Sequence, residues 1–117
     1  MKDFRSLKVW EKAHLLTLKI YKVTEKFPRE ELYGLTSQIR RACVSIPTNI
    51  AEGCVRSSDA DFSRFIYIAL GSTSELEYLM MLAMDLNFIK TELHTELNNE
   101  INEIKKMLIS MIKKLKA

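Results

Sequence analysis

The chain has 117 residues, 47% of them apolar, with 18 Lys and Arg against 15 Asp and Glu and only 3 Gly and 2 Pro. This is one domain's worth of core, and so few turn-formers exclude both a many-turned all-β fold and a disordered chain. No apolar run approaches the roughly 18 residues of a membrane span, and the opening MKDFRSLKVW has no signal core, so a soluble cytoplasmic protein is expected.

Helix one is predicted from about Leu7 to Phe27 and stops at Pro28, which disfavours helix in the residue before it. Val9, Ala13, Leu16, Ile20, Val23 and Phe27 alternate by fours and threes, the seam of a packed bundle. Leu7, His14, Leu18 and Tyr21 form a second, partly apolar line on nearly the opposite side. A surface helix needs one apolar face, so the second line predicts a partner, inside the bundle or on another subunit. Lys8, Lys12, Lys19, Lys22 and Lys26 make a third line. A solvated face explains such a line. The functional reading is a phosphate-facing stripe, because lysines that meet nucleic acid release its counterions.

The segment PREELYGL, Pro28 to Leu35, is a connection. Helix two is predicted to start between Tyr33 and Ser37 and to run to about Ser57. Ile39, Ala42, Cys43, Ile46, Ile50 and Cys54 share one side of it; Arg41, Ser45, Thr48, Glu52 and Arg56 share the other. Pro47 has no N–H for the carbonyl of Cys43, at a cost of about 3 kcal/mol against alanine. A kink near Val44 to Ile46 is expected, with the Ser45 and Thr48 hydroxyls helping to satisfy the freed backbone. Gly53 weakens the helix unless close packing needs it. Glu52 is read as a structural ion-pair partner of Arg41 or Arg56 rather than as a general acid or base. Cys43 and Cys54 lie about 16 Å apart on one helix, too far to bridge, and are read as small buried apolar residues.

Helix three opens on Ser57-Ser58-Asp59, a capping cluster, and is predicted to continue to about Asn87. Two overlapping seams, one through Phe62, Ile66 and Ala69 and one through Phe65, Ser72 and Leu79, make it central. The small residues around Gly71 form a waist expected to face Pro47 or Gly53. Glu75 and Glu77 are two residues apart and diverge, so paired acid–base work is not expected. Helix four is predicted from about Glu92 to Leu115, capped by Thr91 and seamed by Leu93, Leu97, Ile101, Ile104, Leu108 and Met111. Its early glutamates and late lysines complement the helix dipole; a basic tail that touches nucleic acid is the functional alternative.

The two histidines lack a second ligand at metal spacing, and there is no Cys-x-x-Cys, phosphate loop or nucleophile with a partner base. No catalytic residue, cofactor or metal is expected. Four helices with short connections predict an all-α, antiparallel up-down-up-down four-helix bundle, a single domain over residues 1–117.

Three blocks in order carry a resemblance: LKVWEKAH (7–14), GLTSQIRRACVSIPTNIAEG (34–53) and FIYIALGSTSELEYLM (65–80). They resemble the bacterial four-helix bundle family typified by the protein encoded in intervening sequences of the 23S ribosomal RNA gene, over essentially the whole chain. The resemblance implies assembly as a ring, a homopentamer. It extends to the accessory variability protein of diversity-generating retroelements, a basic pentameric barrel that binds nucleic acid and its reverse transcriptase. It supplies no catalytic residues. The expectation is therefore a non-enzymatic homo-oligomer that binds structured RNA or a ribonucleoprotein through Lys8, Lys12, Lys19, Lys22 and Lys26, with Arg40 and Arg41 next. The alternative is a protein-interaction scaffold or an accessory subunit, for example of a reverse transcriptase. Arg41, Pro47, Glu52, Gly53 and Gly71 are expected in structural roles.

Overall fold

The computed structural model describes residues 2–116. Four helices follow one another: α1 (Lys8–Thr24), α2 (Leu35–Cys54), α3 (Asp59–Asp85) and α4 (Thr91–Lys116). The long dimension of 43 Å is about the length of α3 at 1.5 Å per residue, so the bundle is one helix long. Each helix packs on its chain neighbours, and α4 closes the square on α1. Side-chain pairs fix the directions: Thr17 meets Cys43 and Thr24 meets Arg40 across α1 and α2, while Ser45 meets Ser72 and Gly53 meets Phe62 across α2 and α3. Across α1 and α4, Lys12 meets Glu103 and Lys19 meets Glu96. In all of these one number rises as the other falls, the mark of antiparallel neighbours. Leu16, Ile20, Ile39, Ile46, Ile50, Ile66, Leu76, Met80, Leu97, Ile101 and Leu108 are fully buried at the centre.

The ends are set locally. A short 3-10 turn, Phe4–Ser6, precedes α1; Asp3 caps it and Phe4 packs edge-on against Trp10. α1 stops at Thr24, three residues short of the predicted Phe27. The N–H groups of Glu25, Lys26 and Phe27 bond the carbonyls of Lys22, Val23 and Thr24, and the side chain of Arg40, described below, reaches the Tyr21 carbonyl. Phe27 lies in the following turn, where it is buried against Phe88. Glu31 accepts the Leu35 N–H at 3.1 Å and so fills the start of α2. α2 ends at Cys54 rather than Ser57, and the Cys54 carbonyl accepts the N–H of Lys2, tying the N-terminal segment to the far end of α2. Ser58 caps α3 by accepting the Asp61 N–H. α3 ends in a Schellman turn: Asn87 takes φ 65°, its N–H bonds the Met84 carbonyl, and Phe88 N–H bonds the Ala83 carbonyl.

As the sequence predicts, Pro47 lies inside α2, which runs from Leu35 to Cys54, and it is buried there. Other expectations about α2 and α3 are corrected. The Cys43 carbonyl that Pro47 leaves without a helical donor is approached by Thr17 Oγ1 of α1 at 3.4 Å, not by Ser45 or Thr48. Ser45 is occupied with Ser72 Oγ at 2.8 Å and with Asn49. The small-residue waist thus meets α2 at Ser45, near Pro47. Gly53 packs elsewhere: a Cβ there would lie 2.7 Å from Phe62 Cδ1 and 3.0 Å from Phe65 Cβ. Gly71 faces outward, and a Cβ on it would meet nothing within 4 Å, so no packing within the chain requires this glycine. Glu52 is exposed and has no ion pair among the described residues, because the polar side of α2 is its solvent side. Arg56 lies instead over the Phe65 ring, 4.4 Å from its centroid.

Cys43 and Cys54 are both free and buried. Burial pushes the Cys43 thiol up to about 11, and burial also raises Cys54. No described helix is long and apolar enough to cross a membrane.

Candidate nucleic-acid interface

The lysine line of α1 lies along its seam with α4, and α4 answers it with glutamates. Lys12 pairs with Glu103; Lys19 pairs with Glu100 at 2.8 Å and Glu96 at 3.4 Å. The hydrogen bond and charge of Glu103 raise the Lys12 ammonium above its usual range, and the hydrogen bond to Glu100 does the same for Lys19. These two residues, expected to face phosphate, are held by carboxylates in the middle of the seam. Nothing in α1 alone foretells this; the pairing depends on the register of α4, which its own heptads do not set.

The ends of the line differ. Lys8, Lys22 and Lys26 are exposed and have no carboxylate partner among the described residues. Lys8 joins Lys106 and Lys114 of α4 around a groove of about 390 Å³ floored by Leu7, Val9, Met107 and Met111, with no acidic side chain in its lining. The C-terminal half of α4 leaves Glu96, Glu100 and Glu103 behind, so cations gather at this end unopposed. At the other end Lys22, Lys26 and Lys90 surround Val23, Phe88 and Leu93, with Glu25 among them.

Arg40 and Arg41, adjacent in sequence, have different fates. Arg40 donates from Nε to Thr24 Oγ1 at 2.9 Å and from a terminal nitrogen to the Tyr21 carbonyl at 3.3 Å, and its guanidinium lies over the Tyr21 ring. It caps the C-terminal end of α1, where the helix dipole favours a cation. Arg41 points outward with no carboxylate partner among the described residues.

Arg41 borders a second groove, of about 660 Å³, between the outer face of α2 and the connection that precedes it. Tyr21, Leu32 and Tyr33 wall it on one side; Val44, Thr48 and Asn49 continue it along α2. Tyr33 is 93% exposed. Thr36 lines the same groove at 2% exposure, and its hydroxyl has no hydrogen-bond partner among the described residues. Periodicity singled out none of Tyr33, Thr36 and Asn49. An aromatic residue directly before the glycine of a connection was the available signal.

Apolar side chains remain in solvent on two other faces. Leu15, Leu18 and Tyr21 on α1, and Tyr67, Ile68, Tyr78 and Met81 on α3, are exposed. Of the second line of α1, Leu7 packs against the core while Leu18 and Tyr21 are left uncovered by it. His14, its polar member, is exposed and stacked on Trp10 at 5.0 Å. Of the two neighbouring carboxylates of α3, Glu77 is paired with Lys105 of α4 while Glu75 is exposed.

The family model described as 23S rRNA-intervening sequence protein matches residues 5–110. Among solved structures, the chain is similar to a protein of unknown function from the S23 ribosomal protein family of Bacteroides thetaiotaomicron VPI-5482, with 33% identity and a TM-score of 0.81. The match covers 90% of this chain and 98% of that one. No curated protein matches the sequence.

Proposed function

Because the chain belongs to the 23S rRNA-intervening sequence protein family, we propose that it is a non-catalytic, self-associating protein that binds structured RNA through the cations left free at the ends of its first helix. The observation that carries this reading is the groove of Lys8, Lys106 and Lys114, three ammonium groups with no acidic neighbour in the lining. A phosphate there meets attraction without competition from protein carboxylates. Such contacts position a backbone and read no sequence. Lys22, Lys26 and Arg41 extend the cationic surface; Lys12, Lys19 and Arg40 serve the fold.

Self-association is supported by the exposed apolar side chains of α1 and α3, with Gly71 giving a partner helix room to approach along Tyr67 and Tyr78. A ring of five copies is what the sequence resemblance implies. The same surfaces favour a second reading, an accessory subunit that docks another protein.

The test is a salt titration of binding to an RNA hairpin. Replacing Lys8, Lys106 and Lys114 by Gln should flatten the dependence of log K on log salt by about 0.7–0.9 for each phosphate no longer neutralised. Replacing Lys12 and Lys19 should leave that slope unchanged. Absence of binding at low salt, or equal slopes in the two variants, would sink the reading. A protein partner captured equally well after nuclease treatment would favour the accessory subunit.

A further inference from the structure

The groove on α2 differs in kind from the lysine-lined end. It joins a π face, a free cation and unused hydrogen-bonding groups, and none of its lining residues is Asp or Glu. Tyr33 stands out from the connection with its ring almost entirely in solvent. Thr36, buried in the lining, holds a hydroxyl with no partner among the described residues, and buried polar atoms of folded proteins are nearly always bonded to something. Asn49 spends its amide N–H groups on Ser45 at 2.8 and 3.0 Å, which leaves its carbonyl oxygen as an acceptor without a donor among the described residues. Arg40 is tied to Thr24 and Tyr21, so Arg41 is the cation available to an occupant.

These groups suit one ligand chemistry. A flat heteroaromatic ring stacks on an exposed tyrosine, as unpaired bases do on aromatic side chains. Its edge offers donors and acceptors, which the amide oxygen and the hydroxyls can meet. Its phosphate needs a guanidinium with no carboxylate beside it. The start of α2 is not that phosphate site, because Glu31 already occupies it. The volume of about 660 Å³ lies within the range of small-ligand pockets.

We propose that this groove seats an unpaired nucleotide of an RNA strand, its base stacked on Tyr33 and its phosphate held by Arg41. The proposal rests on the RNA-binding reading above and adds a preference: loops, bulges or single strands over continuous duplex.

The experiment compares a fluorescently labelled oligouridine strand with a blunt-ended RNA duplex at low salt, by anisotropy. The strand should bind more tightly per nucleotide. Tyr33→Ala should weaken strand binding by about five-fold or more and leave duplex binding in place. Tyr33→Phe should bind as wild type, whereas Tyr33→Leu, apolar but without a π face, should behave like Tyr33→Ala. Arg41→Gln should weaken the strand and lower its salt slope by about 0.7. With 4-thiouridine in the strand, irradiation should join it to the peptide that holds Tyr33. Because Tyr33 is almost wholly exposed, its variants should melt with the wild type.

Duplex binding with no strand preference, or strand binding unchanged in Tyr33→Ala, overturns the groove and leaves the wider reading intact. Failure to bind either RNA overturns both. If Tyr33→Leu keeps full affinity, or Tyr33→Ala lowers the mass seen by light scattering, the groove is an apolar contact between copies and not a nucleotide seat.

Discussion

The two glycines inside helices offer a paired test of the packing. Alanine is favoured over glycine in a helix interior by about 0.8–1.0 kcal/mol, and Gly53→Ala would gain this if nothing stood in the way. Something does. The new methyl would sit 2.7 Å from Phe62 Cδ1, 3.1 Å from Phe62 Cε1 and 3.0 Å from Phe65 Cβ. Phe62 and Phe65 are both buried, and Arg56 and Arg64 stack on Phe65, so neither ring has an open direction. Forcing a methyl into such a site costs about 1–3 kcal/mol. The difference is a net loss of roughly 1 kcal/mol, with a span of about 0–2 kcal/mol. At about 2.1 cal/mol/K per residue of unfolding entropy, a loss of 1 kcal/mol lowers the Tm of a chain this long by about 4 °C. Gly71→Ala meets nothing within 4 Å and should gain most of the intrinsic preference, raising Tm by about 3–4 °C in dilute protein. Far-UV circular dichroism melts of the two variants beside wild type measure both. Phe62→Leu should be less harmful in the Gly53→Ala background than in wild type, a coupling that a double-mutant cycle isolates. If Gly53→Ala gains as much Tm as Gly71→Ala, the contact geometry of the α2–α3 seam is wrong.

Three further outcomes are expected. Cys43 and Cys54 should resist a thiol reagent at pH 8 in the native protein and react on unfolding, since burial raises both; rapid native labelling would contradict the packing around Pro47. The Lys12 and Lys19 pairs have raised native pKa values, so their stabilisation is fully present below the unfolded value of 10.5 and fades only as pH climbs through the higher native values. Lysine side-chain NMR should find these two ammonium groups titrating above the usual lysine range, and an ordinary titration for both would break the α1–α4 register. Asn87→Gly should stabilise the protein by up to about 1 kcal/mol because Asn87 holds a left-handed φ, and Asn87→Val should destabilise it.

Helices and core were legible because seam spacing is a property of each segment alone. Val9, Ala13, Leu16 and Ile20 recur at helical steps and all four are buried. What escaped depended on a second segment. Lys12 and Lys19 look identical to Lys8 and Lys26 until the glutamates of α4 are set beside them. The freed Cys43 carbonyl found its nearest hydroxyl on α1, at Thr17, rather than one turn away in its own helix. Spacing alone makes Glu52 an ion-pair partner of Arg41 or Arg56; in a square of four helices each keeps one side in water, and Glu52 lies on that side. Tyr33 belongs to a connection, where periodicity says nothing.

The four seams are not equal. α2 and α3 share the most extensive interface, and α1 meets α4 along the sparsest, fastened by exposed lysine–glutamate pairs. Mobile salt competes with exposed pairs and leaves packed methyl groups untouched. The molecule is thus a stiff spine of two helices with a latch along one edge. Rising ionic strength therefore loosens the edge closed by Lys12 and Lys19 while the packed spine keeps its shape.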